Sequence, residues 1–220
     1  MIIVLGGQKG GTGKSTTAIN LAVEYLRLGK SVALVDADPQ GTATTWVDTA
    51  AEAGHPTPVF IRETKAEVLM DRIPELADEH DIVLVDLPSE LGQVQRAALV
   101  VADVVILPCG ASAAEMWALT ESTDLVKEAR NPNPNLMAFV VQTRVQRATK
   151  AGKSLRDDLA AWGITVLFQQ LINRVAYRDA MAAGLGVTTM PGADEAAKEF
   201  SSLVVELHSR LEGQEHEDAD

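Results

Sequence analysis

The sequence predicts an α/β fold, a doubly wound and mostly parallel sheet flanked by helices. Three observations carry this. Apolar runs of strand length, among them IIVL, SVALVDAD, DIVLVD and VVILP, alternate with segments of helical periodicity. The runs end on glycine or aspartate, as strands do where they deliver polar residues to one edge of a parallel sheet. At 220 residues the chain suits one domain with a full central sheet, expected over 1–212, with 213–220 as an acidic disordered tail.

The elements follow in order. IIVL (2–5) reads as a buried strand, and a glycine loop leads from it into a helix over 14–28 whose apolar face carries Ile19, Ala22, Val23 and Leu26, with Gly29 as its stop. SVALVDAD is the second strand, a helical stretch containing Trp46 follows, and PVFIRE is the third strand. Helical pattern resumes over 66–79, where Pro74 is expected to begin a new turn because it cannot donate a backbone hydrogen bond. DIVLVD (81–86) is a buried strand, 93–101 a helix and VVILP (104–108) a strand, and Ser112 suits the N-cap of a helix ending near Arg130. NPNPN (131–135) is a rigid turn and LMAFVVQ a further strand. Helices over 153–162 and 175–183 bracket a short strand at 165–168. The last helix carries Ala196, Phe200, Leu203, Val204, Leu207 and Leu211 on one face.

Composition narrows the function classes. Apolar residues are 46% and charged residues 23% of the chain, ordinary for a globular protein, and every apolar run is too short to span a bilayer. A strand directly after Met1 argues against a signal peptide, and one cysteine, Cys109, precludes an intrachain disulfide, so a cytoplasmic location is expected. The net charge is −12, yet between Arg130 and Arg178 eight basic residues face two acidic ones, a local +6 that leaves −18 elsewhere. Such an island is either a solvated loop surface or a phosphate-binding face.

The chemistry concentrates in three stretches. In QKGGTGKST, Gly10, Gly11, Thr12 and Gly13 form a turn whose backbone N–H groups can approach phosphates closely; Lys14 reaches the β and γ phosphates of a nucleotide and Ser15 offers a hydroxyl to Mg²⁺. The strict phosphate-loop pattern wants glycine at position 8, where this chain has Gln8. VDADPQG and LVDLPS bring Asp36, Asp38 and Asp86 to the same edge. Three carboxylates there repel one another unless lysines or a cation offset them, which Mg²⁺ explains economically; alternatively, one of them is a turn former or helix cap.

Together QKGGTGKST, VDADPQG and LVDLPS resemble the deviant Walker A, Walker A′ and Walker B motifs of the ParA/MinD ATPases, and INRVAYRDAMAAGLGV resembles the C-terminal part of ParA-type partition proteins. The resemblance implies a P-loop ATPase using ATP and Mg²⁺. It implies that the extra lysine, Lys9, crosses a nucleotide-sandwich homodimer to the partner's phosphates, that Asp38 positions the attacking water, and that Asp36 and Asp86 serve the magnesium shell, Asp86 through water. Thr16 would contact the α-phosphate, and adenine would be read near Thr143 and Arg144. Ser89 stands where the family often has a second proline. Arg174 and Arg178 match positions implicated in non-specific DNA binding, with Arg147, Lys150, Lys153 and Arg156 their basic neighbours in sequence. The short type without an N-terminal winged helix is expected, associated with the nucleoid and working with a ParB-like or small centromere-binding adaptor.

Other readings make different demands. The last helix runs into an acidic tail that an anionic membrane repels, so a membrane partner is not expected. A dimer offers two thiolates where a four-iron cluster shared between subunits needs four. A protein cargo, a small-molecule P-loop enzyme or metallochaperone, and a filament scaffold remain as alternatives.

Overall fold

The computed structural model describes residues 1–110, 112–146, 159–160 and 163–217. Seven strands, β1 (Ile2–Leu5), β2 (Val32–Asp36), β3 (Val59–Arg62), β4 (Ile82–Asp86), β5 (Val104–Cys109), β6 (Met137–Gln142) and β7 (Thr165–Val166), form one sheet in the order β3-β2-β4-β1-β5-β6-β7. Every pairing is parallel. β1 lies at the centre, and its register sets Leu5 against Asp86 of β4 and Ile106 of β5. Asp36 is in turn level with Asp86. The segments leaving β1, β2 and β4 therefore converge on one edge.

The helices α1 (Lys14–Arg27), α2 (Thr42–Glu52), α3 (Ala66–Glu79), α4 (Gln93–Val101), α5 (Ala113–Ala129), α6 (Val175–Ala182) and α7 (Asp194–Glu217) divide between the two faces. Because strand side chains alternate, Ile3, Leu5, Leu34, Leu84, Ile106 and Phe139 pack with α1, α2 and α7, whereas Val4, Val35, Val83, Val85, Val105 and Val140 pack with α3, α4 and α5. Each such large side chain contributes about 1.5–3 kcal/mol when fully buried. The apolar face read on the last helix is core throughout.

Three expectations need correction. Pro74 lies inside a continuous α3, because Leu69, Ile73 and Leu76 are buried on one side and the missing N–H falls opposite the carbonyl of solvent-facing Met70. β7 is two residues long. α7 continues as backbone helix through Glu217, past the expected end at 212. The helix placed over 153–162 lies almost wholly outside the described residues.

Candidate functional site

The loop between β1 and α1 is shaped by two left-handed glycines, Gly11 (φ 74°) and Gly13 (φ 101°). Gly13 is the N-cap of α1, makes no side-chain cap, and no acidic residue occupies the first turn. α5 shows the ordinary alternative, a full capping box between Ser112 and Glu115. The first N–H groups of α1 are thus left to an anion.

The loop is braced from several distant segments. The Ser122 hydroxyl accepts from the Gln8 N–H at 3.0 Å. Gln95 Nε2 donates to the Pro88 carbonyl at 2.7 Å and to those of Glu90 and Gly7 at 3.2 and 3.4 Å. Thr143 Oγ1 donates to the Thr12 carbonyl at 2.6 Å. That last bond commits the Thr143 hydroxyl proton to the loop, so this side chain supports the cradle. Arg144, at φ 52°, turns its guanidinium to the buried carboxylate of Glu115.

The two lysines have different surroundings. Lys14 is buried, and its Nζ donates to Ser89 Oγ at 2.8 Å and to the Lys9 carbonyl at 3.3 Å. Burial pulls the ammonium below its usual pKa, while Asp86 and Asp38 resist. Lys9 is half-buried, and among the described residues its side chain makes no ion pair or hydrogen bond. Its charge is still felt at Glu115, where burial opposes ionisation but the Ser112 hydrogen bonds, then Arg144 and Lys9, hold the carboxyl below its ordinary range.

The three aspartates also differ. Asp86 is fully buried and neither carboxylate oxygen has a well-formed hydrogen bond. Burial pushes its carboxyl up to about 7; the nearby Ser15 hydroxyl and Lys14 oppose this, and Asp36 and Asp38 add to it. Asp38 lines the cleft, its Oδ1 accepting from the Gln40 N–H at 2.9 Å. Asp36 Oδ2 accepts from the N–H and hydroxyl of Thr44 at 2.8 and 2.7 Å, and Oδ1 from the Asp38 N–H at 3.2 Å. Asp36 therefore anchors α2 and the Asp38 turn in this structure. Accordingly, among the described residues no three His, Cys, Asp or Glu side chains gather as a ready ligand set.

A cleft of about 590 Å³ opens over the loop, between Gly10, Lys14, Ser15, Thr16 and Asp38 on one wall and Arg144, Asn173, Arg174, Tyr177 and Arg178 on the other. A larger groove of about 870 Å³ runs along β7 and α7 past Phe168, Val205 and Arg210 and touches none of the motif residues. The orphaned Asp86 oxygens beside Ser15, the uncapped helix and the glycine turn together fit a magnesium nucleotide; Ser15 and Asp86 would hold the metal side, and Gly10 to Thr16 the phosphates.

The basic island is only partly in view. Arg147, Lys150, Lys153 and Arg156 lie outside the described residues. Arg174 is paired with α7, its Nε donating to Glu199 at 3.2 Å and its Nη atoms to Glu195 and Glu199, which offset its charge. Arg178 is 78% exposed and, among the described residues, pairs only with its neighbour Asp179 at 3.3 Å. Cys109 is a buried thiol, pushed up to about 11 by burial and Glu115. No helix of the described residues is long and apolar enough to cross a membrane.

Gln95, Thr44 and Ser122 belong to none of the sequence motifs, and their place at the site emerges only from the fold. Gln95 alone carries a signal in the sequence, a polar residue on the otherwise apolar buried face of α4 with Ala98 and Leu99.

Comparison with known proteins agrees with this geometry. The profile of the CobQ/CobB/MinD/ParA nucleotide binding domain matches residues 3–187. The chain is 31% identical to the chromosome-partitioning ATPase Soj of Thermus thermophilus, with 96% of each covered. It is 28% identical to the maintenance of carboxysome distribution protein A of Halothiobacillus neapolitanus, covering 93% of this chain and 95% of that one. The cell division ATPase MinD of Pyrococcus furiosus shares the fold with a TM-score of 0.75 at 18% identity, over 94% of this chain and 98% of that one. With the match spanning the phosphate loop, both aspartate strands and most of the sheet, the chain belongs to the CobQ/CobB/MinD/ParA nucleotide-binding-domain family.

Proposed function

We propose that the protein is a Mg²⁺-dependent ATPase that positions a cargo: ATP closes a homodimer, the dimer binds DNA without sequence preference, and a cargo-bound adaptor triggers hydrolysis and release. The observation that carries this is the division of labour between the lysines. Lys14 lines its own cleft, where its ammonium suits phosphates bound by the same chain. Lys9 has its backbone fixed by Lys14 and Thr12, which donate to its carbonyl at 3.3 Å each, while its ammonium is left without a partner among the described residues. A cation on a fixed base with a free end suits phosphates held by a second copy of the chain.

Magnesium ATP would supply a terminal phosphoryl group whose transfer to water needs charge stabilisation and a placed nucleophile. Asp38, held by its turn, would orient that water; Ser15 and Asp86 would hold the metal side, and Lys9 would add positive charge in trans. Such groups are worth on the order of 10³ to 10⁵ in rate. Replacing Lys9 by Ala should leave nucleotide binding by the monomer intact and abolish partner-stimulated turnover, and unchanged turnover would remove the in-trans role.

DNA segregation, of a plasmid or a chromosome, is the cargo reading that the likeness to Soj supports. The likeness to a carboxysome-distribution protein supports a second one, in which the same cycle spaces a protein body. Loss of DNA inheritance on deletion favours the first; normal inheritance with a clustered body favours the second. Gel shifts on arbitrary duplex DNA with ATP against ADP, repeated across salt, test the common core. Binding that requires ATP and falls steeply with salt supports it, and no DNA affinity in either state points to a small-molecule P-loop enzyme.

A further inference from the structure

The geometry points to Ser89 as a positioning residue: its hydroxyl is the resting partner of the Lys14 ammonium, so that a nucleotide phosphate must displace it and thereby loosens the segment 87–92. This rests on the nucleotide reading above and adds to it a residue and a coupling that the motif likeness does not contain, since Ser89 stands at a departure from that likeness.

Lys14 Nζ donates to Ser89 Oγ at 2.8 Å, a charge-assisted bond made inside the cleft that both residues line. The two segments are in close approach: a Cβ on Gly10 would lie 3.6 Å from the same hydroxyl. Gln95 makes the tie two-sided. Its amide nitrogen holds the carbonyls of Pro88 and Glu90, on either side of Ser89, and also that of Gly7 at the start of the phosphate loop. Ser89 therefore belongs to a segment whose ends are fastened to the loop by Gln95 and whose middle, among the described residues, is fastened by the Lys14 bond to the Ser89 hydroxyl. Proline at position 89 could not make that bond. Once phosphate oxygens take the ammonium, the middle is released while the ends stay fixed, which reports occupancy to the start of α4.

The test is magnesium ADP binding by calorimetry with hydrogen exchange of 87–92. Ser89→Ala removes the competitor, so ADP should bind about three- to tenfold tighter, as expected for a bond to a charged group partly replaced by water. Ser89→Thr should stay within about twofold of the wild type, because it keeps the hydroxyl. In the wild type, exchange of 87–92 should quicken on saturation with ADP; in Ser89→Ala it should be quick from the start and unchanged by ADP. Equal or weaker ADP binding by Ser89→Ala, or wild-type exchange indifferent to ADP, overturns the proposal and leaves the nucleotide site standing. A wild-type protein that binds no ADP instead overturns the function proposed above.

Discussion

Replacing Asp36 by Asn separates an anchoring role from a metal-binding one, because the two predict opposite signs in the metal-free protein. The carboxylate accepts three bonds, two from Thr44 on Oδ2 and one from the Asp38 N–H on Oδ1. An amide has one acceptor oxygen. If it stays on Thr44, its NH₂ faces the Asp38 N–H donor to donor; one bond to a charged acceptor is lost, at about 1.5 kcal/mol, and two weaken by about half that each. Removing a negative charge beside buried Asp86 returns about 1 kcal/mol. The net is a loss of about 2 kcal/mol, which at a urea dependence of about 2 kcal/mol per molar lowers the unfolding midpoint by about 1 M. The measurement is urea unfolding in a chelator without nucleotide. An unchanged or higher midpoint, the outcome for a carboxylate whose main neighbours are like charges awaiting a metal, would refute the reasoning.

Gly110→Ala sets a Cβ 2.4 to 2.5 Å from both carboxylate oxygens of Glu115. Glu115 must then leave its capping box and Arg144, a loss of about 1–2 kcal/mol that lowers Tm by about 3–6 °C in a thermal melt. Burial raises the pKa of the Glu24 carboxyl, but hydrogen bonds from Arg27 and Ser201 outweigh this and hold it below its ordinary 4.5. Its stabilisation is therefore whole above that value and declines as pH falls through the lower folded one; in chemical denaturation the gap between wild type and Glu24→Gln should be widest near neutrality and shrink in acid. Arg178→Ala should reduce the log–log salt slope of DNA binding by about 0.9 for each phosphate it no longer neutralises, about 1.8 in a dimer. Arg174→Ala should leave that slope unchanged and lower Tm, because it leaves the part-buried Glu199 without its cation.

Much of the fold is legible in the sequence because it is local. The strands β2 and β4 are buried on both faces, so they appear as continuous apolar runs, and their aspartates mark where they emerge. The boundaries of α3, α4 and the capped start of α5 follow from periodicity and cap chemistry. The left-handed glycines are foreshadowed by composition alone. The features that escape depend on which partner a polar group finds across the fold. Asp36 and Asp86 end equivalent strands in matched register, yet one meets Thr44 and is satisfied while the other meets no well-formed donor. Arg174 and Arg178 share a basic stretch, yet only the first lies under the acidic start of α7.

The polar braces of the phosphate loop explain why such long-range contacts matter to the chemistry. Thr143 holds Thr12 from 131 residues away, Ser122 holds Gln8 from 114, Gln95 holds Gly7 from 88 and Ser89 holds Lys14 from 75. A glycine turn is costly to order, and left alone it would spend binding free energy on its own conformational entropy. Bonds from the residue after β6, from α5 and from α4 fix it before any ligand arrives, so phosphate oxygens would meet N–H groups already in place. Of these four braces, only that of Ser89 uses the group that must move to the phosphate, and for that reason it alone can be exchanged without loosening the turn itself.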